Sequence, residues 1–144
     1  MKLGFTPEQE NFRNEIGTWL EAQLSGPFKD IRGEKTLSAH MEKRVEWERA
    51  LGGAGWGAIG YPKAFGGREA TIGEQVIFAE EYARHGGPGR VGHIGVELAG
   101  PTLLHFGSEA QKKRFVPDIA AGKTMWAQGL IILVFVVLHL FTFK

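Results

Sequence analysis

Two histidine–carboxylate pairs have the spacing at which side chains on a helix can share a metal ion. His93 is followed four residues later by Glu97, and His105 is followed in the same way by Glu109. Residues four apart lie on one face of a helix, so each pair could offer two ligands. The sequence suggests no third ligand that converges on either pair. Surface ion pairs or hydrogen-bonded core histidines explain both pairs better, and we predict no metal site.

Two segments have the glycine spacing of dinucleotide-binding loops, Gly-x-Gly-x-x-Gly. They run from Gly55 to Gly60 and from Gly87 to Gly92. A dinucleotide site needs a strand before the glycines and a helix directly after them, because backbone N–H groups must point at the pyrophosphate. Both segments instead follow helical patterns, and the first runs into a Tyr-Pro pair. We interpret both as loops.

Nucleophilic and zinc chemistry also lack their usual residues. His85-Gly86-Gly87 is similar to an esterase oxyanion loop, but the sequence contains no Gly-x-Ser-x-Gly. The absence of cysteine excludes disulfides, thiolate catalysis and Cys-based zinc sites. The basic run Lys112-Lys113-Arg114 would spread around one helical turn, and the net charge is only +1. These charges give no reason to expect nucleic acid as a partner.

The elements that position these residues are predicted to be helices. Capping boxes, in which Ser or Thr precedes Glu or Gln by three residues, predict helix starts at Thr6, Thr71 and Ser108. Apolar residues follow at helical spacing, and Pro101 predicts a kink or restart. The predicted helices cover residues 6–24, 38–51, 71–84, 91–105 and 108–121. The architecture is therefore an all-α helical bundle of five to six helices.

The glycine-rich stretch 52–70 is predicted as a loop, because each glycine inside a helix costs about 0.5–1 kcal/mol relative to alanine. On the helix before it, the pattern places Met41, Val45 and Glu48 on one face. The charged residues of that helix are predicted to form its solvated side: Glu42, Lys43, Arg44, Glu46, Glu48 and Arg49.

Short motifs occur in a definite order between residues 5 and 129. They are Phe5-Thr6-Pro7-Glu8-Gln9, Leu51-Gly52-Gly53-Ala54-Gly55-Trp56, Pro62 with Phe65-Gly66-Gly67, Gly100-Pro101-Thr102-Leu103-Leu104 through Pro117, and Trp126-Ala127-Gln128-Gly129. In this order and at these separations, the set resembles the N-terminal helical domain of the acyl-CoA dehydrogenase family. The resemblance predicts such a domain over residues 1–129.

The resemblance implies an FAD-dependent oxidoreductase of lipid metabolism that oxidises the Cα–Cβ bond of an acyl-CoA thioester, as in fatty acid β-oxidation. In this family a glutamate removes the α-proton and the flavin accepts the β-hydride. The glutamate lies in a C-terminal helical bundle, and a β-domain holds FAD. Since this chain stops before both, no catalytic residue is predicted, and we expect the isolated chain to be inactive and to bind FAD poorly.

The resemblance also implies a few contact residues. His93, Ile94 and Glu97 lie on the helix that lines part of the acyl pocket in relatives, and Gln128 and Gly129 lie where relatives begin to contact the flavin. Core packing explains Ile94 equally well, and Gln128 is equally well explained as an exposed loop residue. For the complete enzyme the resemblance implies electron-transfer flavoprotein as a partner and a homo-oligomer.

Residues 130–144 depart from the family pattern. Between Leu130 and Phe143 only His139 and Thr142 are not strongly apolar, and a membrane-spanning helix needs ~20 residues. Three explanations remain open: a frameshift or premature end, which we favour, a membrane-inserting hook, or a strand that docks on the helices. The alternative to an enzyme fragment is a non-enzymatic helical interaction module anchored to a partner or membrane by this tail. The N-terminus lacks the apolar segment of a secretory signal, so a cytoplasmic location is expected and a membrane location is not.

Overall fold

Five α-helices make up most of the molecule. The computed structural model describes residues 4–36 and 38–126. Their order is α1 (Pro7–Leu24), α2 (Met41–Gly53), α3 (Ile72–Arg84), α4 (Gly100–Phe106) and α5 (Glu109–Ala120). Short 3-10 turns occupy Lys29–Ile31 and Lys63–Phe65, and a π-helical turn at Ile94–Ala99 runs directly into α4. The described ranges contain no strand, so the prediction of an all-α bundle is confirmed.

The three predicted capping boxes are all present. At the start of α3, the Thr71 hydroxyl accepts a hydrogen bond from the Glu74 N–H at 3.3 Å. The Glu74 carboxylate accepts one from the Thr71 N–H at 2.7 Å. The same reciprocal pair starts α1 at Thr6 and Gln9, and α5 at Ser108 and Gln111. Each box satisfies N–H groups that the first helical turn leaves without a partner.

The larger core lies between α1, α2 and α3. α1 contributes one stripe of buried apolar residues at helical spacing: Phe12, Ile16, Leu20 and Leu24. Trp47 of α2 is fully buried against them, and its ring lies 5.1 Å from Phe28 and 5.5 Å from Trp19. Ile77 of α3 completes this cluster. The apolar periodicity of α1 therefore predicts its buried face correctly.

A smaller core joins α5 to the chain segments that precede α4. Val116, Ile119 and Ala120 of α5 pack with Ala58 and Tyr61 from the loop after α2. Partly buried side chains of the π turn and α4 cover this cluster: Val96, Ala99, Leu103 and Leu104. The loop after α2 therefore contributes to both cores, and its residues in the smaller core pack against the π turn.

The predicted orientation of α2 is wrong. Arg44 and Glu48, expected on its solvated side, are buried at 0% and 1% exposure, whereas Met41 is 46% exposed. Burial of a charged side chain requires partners that satisfy its hydrogen bonds. Those partners lie about forty residues later in the chain, in the loop before the π turn. A prediction from local periodicity places such charged residues on the surface, because the local sequence contains no information about distant partners.

The ends of α2 and α5 meet backbone to backbone. Gly52 lies so close to α5 that an added Cβ would overlap the Ala121 carbonyl group. Gly122, which follows α5 at a φ of +64°, approaches the Glu48 carbonyl in the same way. We call this contact of Gly52, Ala121, Gly122 and Glu48 the glycine seam. It sets the spacing of the two helices without any side chain between them.

The predicted helix over 91–105 divides into the π turn and α4 at Gly100, in agreement with the restart predicted at Pro101. By contrast, α5 runs through Pro117 without a break. The helices of residues 4–36 and 38–126 include none that is both long and apolar enough to cross a membrane. The predicted tail at 130–144, and with it the boundary at residue 129, lies outside the described residues.

Candidate functional site

A groove of about 620 Å³ opens between the loop after α2, helix α3 and the π turn with α4. Its lining combines apolar and aromatic side chains with a few polar groups, as ligand sites commonly do. The lining residues are Trp56, Gly57, Ala58, Ile59, Gly60, Tyr61, Gln75, Phe78, Arg90, Val96, Glu97, Pro101, Leu104 and His105. The loop thus forms one wall, and the π turn and α4 form the opposite wall.

Aromatic rings form the apolar part of the groove. Trp56 and Phe78 stack at a centroid distance of 6.3 Å and an interplanar angle of 20°. The Arg68 guanidinium lies 3.4 Å from the centroid of the Trp56 ring. Arg68 also donates hydrogen bonds to the Ala54 and Gly55 carbonyls at 3.1 Å. These contacts fix the Trp56 ring from the side of its own loop and make it a rigid surface.

Arg90 belongs to the polar lining of the groove, and it pairs with Glu48, a buried residue of α2 that is not itself part of the lining. Arg90 Nε donates to the two Glu48 carboxylate oxygens at 2.9 and 2.8 Å, and Arg90 Nη2 donates to the Gly57 carbonyl at 3.1 Å. The Gly92 N–H donates to the same carboxylate at 3.1 Å. Burial by itself would lower the pKa of Arg90, but the Glu48 charge outweighs it and raises that pKa. Arg90 therefore stays charged, and it connects helix α2 to the loop that follows α2 and to the loop that precedes the π turn.

The second Gly-x-Gly-x-x-Gly segment surrounds these buried charges. A Cβ at Gly92 would lie 2.9 Å from a Glu48 carboxylate oxygen, and a Cβ at Gly89 would lie 2.9 Å from Arg44 Nη2. The Gly89 carbonyl accepts a hydrogen bond from Arg44 Nε at 3.0 Å. The glycines thus let the backbone approach charged side chains of α2. The interpretation of both segments as loops is confirmed, since neither lies in a helix or strand and each follows a helix rather than a strand.

Of the three residues expected to line an acyl pocket, the structure brings only Glu97 to the groove. His93 is exposed, and its Nδ1 lies 2.9 Å from the Arg90 carbonyl oxygen. Ile94 is half-buried and is not part of the groove lining. The roles of all three toward a substrate stay predictions. Gln128 and Gly129, predicted to contact FAD, lie outside the described residues.

Neither histidine–carboxylate pair belongs to a larger cluster of possible metal ligands within the described residues. His105 lines the groove and packs edge-to-face on Phe106, with ring centroids 4.4 Å apart. Glu109 instead pairs with Lys112 at 3.0 Å. Across residues 4–36 and 38–126, no three His, Cys, Asp or Glu side chains are grouped so that they could hold a metal ion.

Sequence reasoning missed most of the groove residues, among them Trp56, Tyr61 and Arg90. Each of these three lies in a glycine-rich segment that was interpreted only as a loop. A usable signal was present for Arg90, because Glu48 interrupts the buried face of α2 beside Trp47 and therefore needs a cationic partner. A large aromatic residue among loop glycines likewise indicates a loop that packs rather than one that is solvated.

A second buried carboxylate lies outside the groove, where α1 meets α3. Glu81 is fully buried, and its Oε1 lies 2.6 Å from Arg13 Nη1. Its other oxygen is paired with Arg84 and lies 3.4 Å from His85 Nε2. Burial would raise the pKa of Glu81, but hydrogen bonds from Arg84 and Arg13 outweigh this and hold the pKa below its ordinary 4.5.

This lowered pKa predicts acid sensitivity. The unfolded chain binds the Glu81 proton more tightly than the folded chain, so the contribution of Glu81 to stability is complete above pH 4.5. It is lost as the pH falls from there through the folded pKa. We expect Glu81→Gln to reduce the slope of unfolding free energy against pH in this window by up to about 1.4 kcal/mol per pH unit.

Urea denaturation at a series of pH values measures this slope. The neighbouring Glu80→Gln is the matched control, because Glu80 pairs with the same Arg13 but is 51% exposed. An equal reduction of the slope in both variants would contradict the assignment to the buried carboxylate.

Comparison with known families gives one match over most of the chain. The family described as "Acyl-CoA dehydrogenase, N-terminal domain" matches residues 6–123. The acyl-CoA dehydrogenase IpdE1 of Mycolicibacterium smegmatis is 39% identical over 125 residues, which cover 85% of this chain and 32% of that protein. The chain thus spans about a third of the length of this relative.

Two solved structures share the fold. A structure described as the Tcur3481-Tcur3483 steroid ACAD superposes with a TM-score of 0.72 at 30% identity, covering 87% of this chain and 32% of that one. The ChsE4-ChsE5 complex from Mycobacterium tuberculosis superposes with a TM-score of 0.66 at 29% identity, covering 85% and 30%.

Proposed function

The chain belongs to the acyl-CoA dehydrogenase family, and we propose that its helical domain forms one wall of an active site that oxidises the Cα–Cβ bond of an acyl-CoA thioester. The observation that carries this proposal is the groove, because an aromatic wall of Trp56 and Phe78 faces the carboxylate-bearing π turn across it. Such a surface excludes water from an apolar acyl group, and dehydrogenation requires a dry pocket. Glu97 is the residue that we propose to contact the acyl group.

We further propose that the acyl group carries fused rings rather than a linear chain. Sequence analysis implied fatty acid β-oxidation, but one of the similar structures is described as a steroid ACAD. The half-buried Phe78 ring, which stacks on the buried Trp56 ring, offers an apolar surface that suits a rigid ring system. Gln75 and Arg90 at the same groove could donate hydrogen bonds to an oxygen on such a ring.

In the complete enzyme FAD would accept the hydride, and electron-transfer flavoprotein would accept the electrons. None of the residues in 4–36 and 38–126 is assigned to FAD or to the catalytic base. What this chain contributes is acyl-binding surface, held in place by the Arg90–Glu48 pair. One wall of a site cannot align a base, a carbon pair and a flavin, so we expect no turnover from the 144-residue chain alone.

We propose that the complete protein is oligomeric, and that its partner is a second acyl-CoA dehydrogenase subunit. One of the similar structures is itself a complex of two proteins, ChsE4 and ChsE5. In this chain Ile72 is 76% exposed and Phe106 is 80% exposed. Each of these exposed apolar side chains is available for contact with another chain.

Ligand titration monitored by NMR tests the groove. We expect a CoA thioester with a fused-ring acyl group to shift the Trp56 indole, the Gln75 side-chain amide and the Glu97 amide of the uniformly ¹⁵N-labelled chain. Octanoyl-CoA is expected to shift the same signals less at equal concentration, because it covers less of the aromatic wall.

Leu104→Trp is expected to abolish these shifts, since Leu104 lines the groove and a larger ring would fill it. Thr102→Trp is the matched control, because Thr102 lies on the same helix and is exposed outside the groove lining. Shifts that cluster elsewhere, or that survive equally in both variants, would contradict an acyl-binding role for the groove.

A further inference from the structure

Tyr61 makes an unusual hydrogen bond across the groove wall. Its hydroxyl donates to the Val96 carbonyl, in the middle of the π turn, at 2.6 Å. The Tyr61 side chain is buried, and burial raises its pKa, so the phenol keeps its proton and remains a donor. A carbonyl inside a helix normally accepts from a backbone N–H, so the contact indicates a local break in the helical pattern.

Pro101 explains why this carbonyl needs an outside donor. In a π register each carbonyl accepts from the N–H five residues later, and the residue five after Val96 is Pro101, which has no N–H. The register is visible at the preceding bond, where the Gly100 N–H donates to the Gly95 carbonyl, five residues earlier. The phenol thus replaces the donor that proline lacks.

The α register would leave a different carbonyl without a donor. There the Gly100 N–H would donate to Val96, and the carbonyl opposite Pro101 would be that of Glu97. Proline also clashes with the carbonyl four residues before it. Tyr61 hydrogen-bonds the carbonyl that is free only in the π register, so its hydrogen bond stabilises that register selectively.

We propose that Tyr61 is a positioning residue that holds residues 94–99 in the π register and thereby sets which side chains face the groove. The two registers differ by one residue, which corresponds to a rotation of about 100° of the preceding segment around its axis. Val96 and Glu97 line the groove in the π register. The consequence for substrates rests on the proposed function of the groove, whereas the register itself does not.

Gly100 is part of the same arrangement. A Cβ at this position would overlap the Tyr61 hydroxyl group. Only glycine therefore lets the phenol lie against the junction of the π turn and α4 and reach the Val96 carbonyl. This one hydrogen bond thus depends on Tyr61 and on two adjacent residues about forty positions later, Gly100 and Pro101.

The register can be read directly from NMR couplings across hydrogen bonds in the ¹³C,¹⁵N-labelled full chain. We expect the Gly100 nitrogen of the unmodified chain to couple to the Gly95 carbonyl carbon. In Tyr61→Phe this coupling is expected to weaken by at least half, with a new coupling to the Val96 carbonyl carbon. Undiminished coupling to Gly95 in Tyr61→Phe would overturn the proposal.

Tyr82→Phe is the matched control. Tyr82 is the other tyrosine of the chain, and its hydroxyl donates to the Pro88 carbonyl at 2.7 Å, away from the π turn. Its loss is expected to leave the Gly100 coupling unchanged, and a loss of the coupling in this variant too would overturn the proposal. Should Tyr61→Phe fail to fold in buffer, the same spectra are recorded with trimethylamine N-oxide, which favours the compact state.

The thioester titration separates this inference from the proposed function. A changed register with unchanged ligand shifts would leave Tyr61 as the register-holding residue and contradict the role of the groove. An unchanged register with weakened ligand shifts would overturn the positioning role of Tyr61 and leave the groove assignment intact.

Discussion

Replacing Glu48 with alanine is expected to lower the free energy of unfolding by about 3–5 kcal/mol, since it leaves the buried charge of Arg90 without its partner. Glu48 is 1% exposed, and it accepts hydrogen bonds from Arg90 and from the Gly92 N–H. The Arg90 side chain is only 18% exposed and lines the groove, so water compensates for the lost carboxylate only in part. Urea denaturation followed by far-ultraviolet circular dichroism measures the change.

Glu46→Ala is the control for this prediction. Glu46 lies on the same helix and pairs with Lys43 at 2.8 Å, but it is 54% exposed, so its loss should cost less than about 1 kcal/mol. Glu48→Gln keeps the shape and some of the hydrogen bonds and is expected to fall between the two. A cost for Glu48→Ala no larger than that for Glu46→Ala would show that the Arg90 charge finds another partner.

Adding one methyl group at Gly52 is expected to destabilise the protein by about 2–3 kcal/mol, although alanine favours helices. The new Cβ would overlap the backbone of Ala121. A flexible side chain could move aside, but a backbone carbonyl moves only if α5 as a whole is displaced. The glycine seam would therefore open, and the buried Ile119 and Ala120 would lose packing.

Gly53→Ala, at the next residue, is a control for which the opposite change in stability is expected. Gly53 is also in α2, but a Cβ there would meet nothing within 4 Å. Gly53→Ala is expected to stabilise the protein by about 0.5 kcal/mol, because alanine restricts the unfolded chain and suits a helix. The midpoint of thermal unfolding should fall for Gly52→Ala and rise for Gly53→Ala. Equal shifts at both positions would contradict the seam.

Features that depend on residues close in sequence were predictable. Each capping box is complete within four residues, so Thr71 and Glu74 identify the start of α3 without any knowledge of the fold. The stripe of α1 is equally local, since its buried residues recur every three to four positions. Gly122 ends α5 at positive φ, as a glycine at that position predicts.

Features that depend on distant partners were not predictable. Glu48 and Arg90 are 42 residues apart, and although Glu48 beside Trp47 indicates the need for a cationic partner, nothing within either segment identifies the other residue as that partner. In α3 the apolar Val76 is 49% exposed, whereas the charged Glu81 is buried. The ion pairs that stabilise the buried carboxylates form only when distant segments come together in the folded chain.

The candidate site was predictable only through resemblance. The family motifs directed attention to the segment before α4, and Glu97 from that segment does line the groove. The opposite wall, with Trp56 and Tyr61, is a loop whose residues show no periodicity. The position of this loop depends on two contacts. Arg68 packs on the Trp56 ring, and the Tyr61 hydroxyl donates a hydrogen bond to the π turn that precedes Pro101.

The glycine seam has a consequence for how the proposed acyl preference of the groove could diversify. The seam is a contact of main chains at Gly52 and Ala121, on elements that contribute no side chain to the groove lining. Exchanging Phe78, Leu104 or Gln75 alters the cavity while the α2–α5 frame keeps its spacing. Libraries that vary only these three positions, and that leave core residues of the lining such as Trp56 and Tyr61 unchanged, should therefore retain a high proportion of folded members.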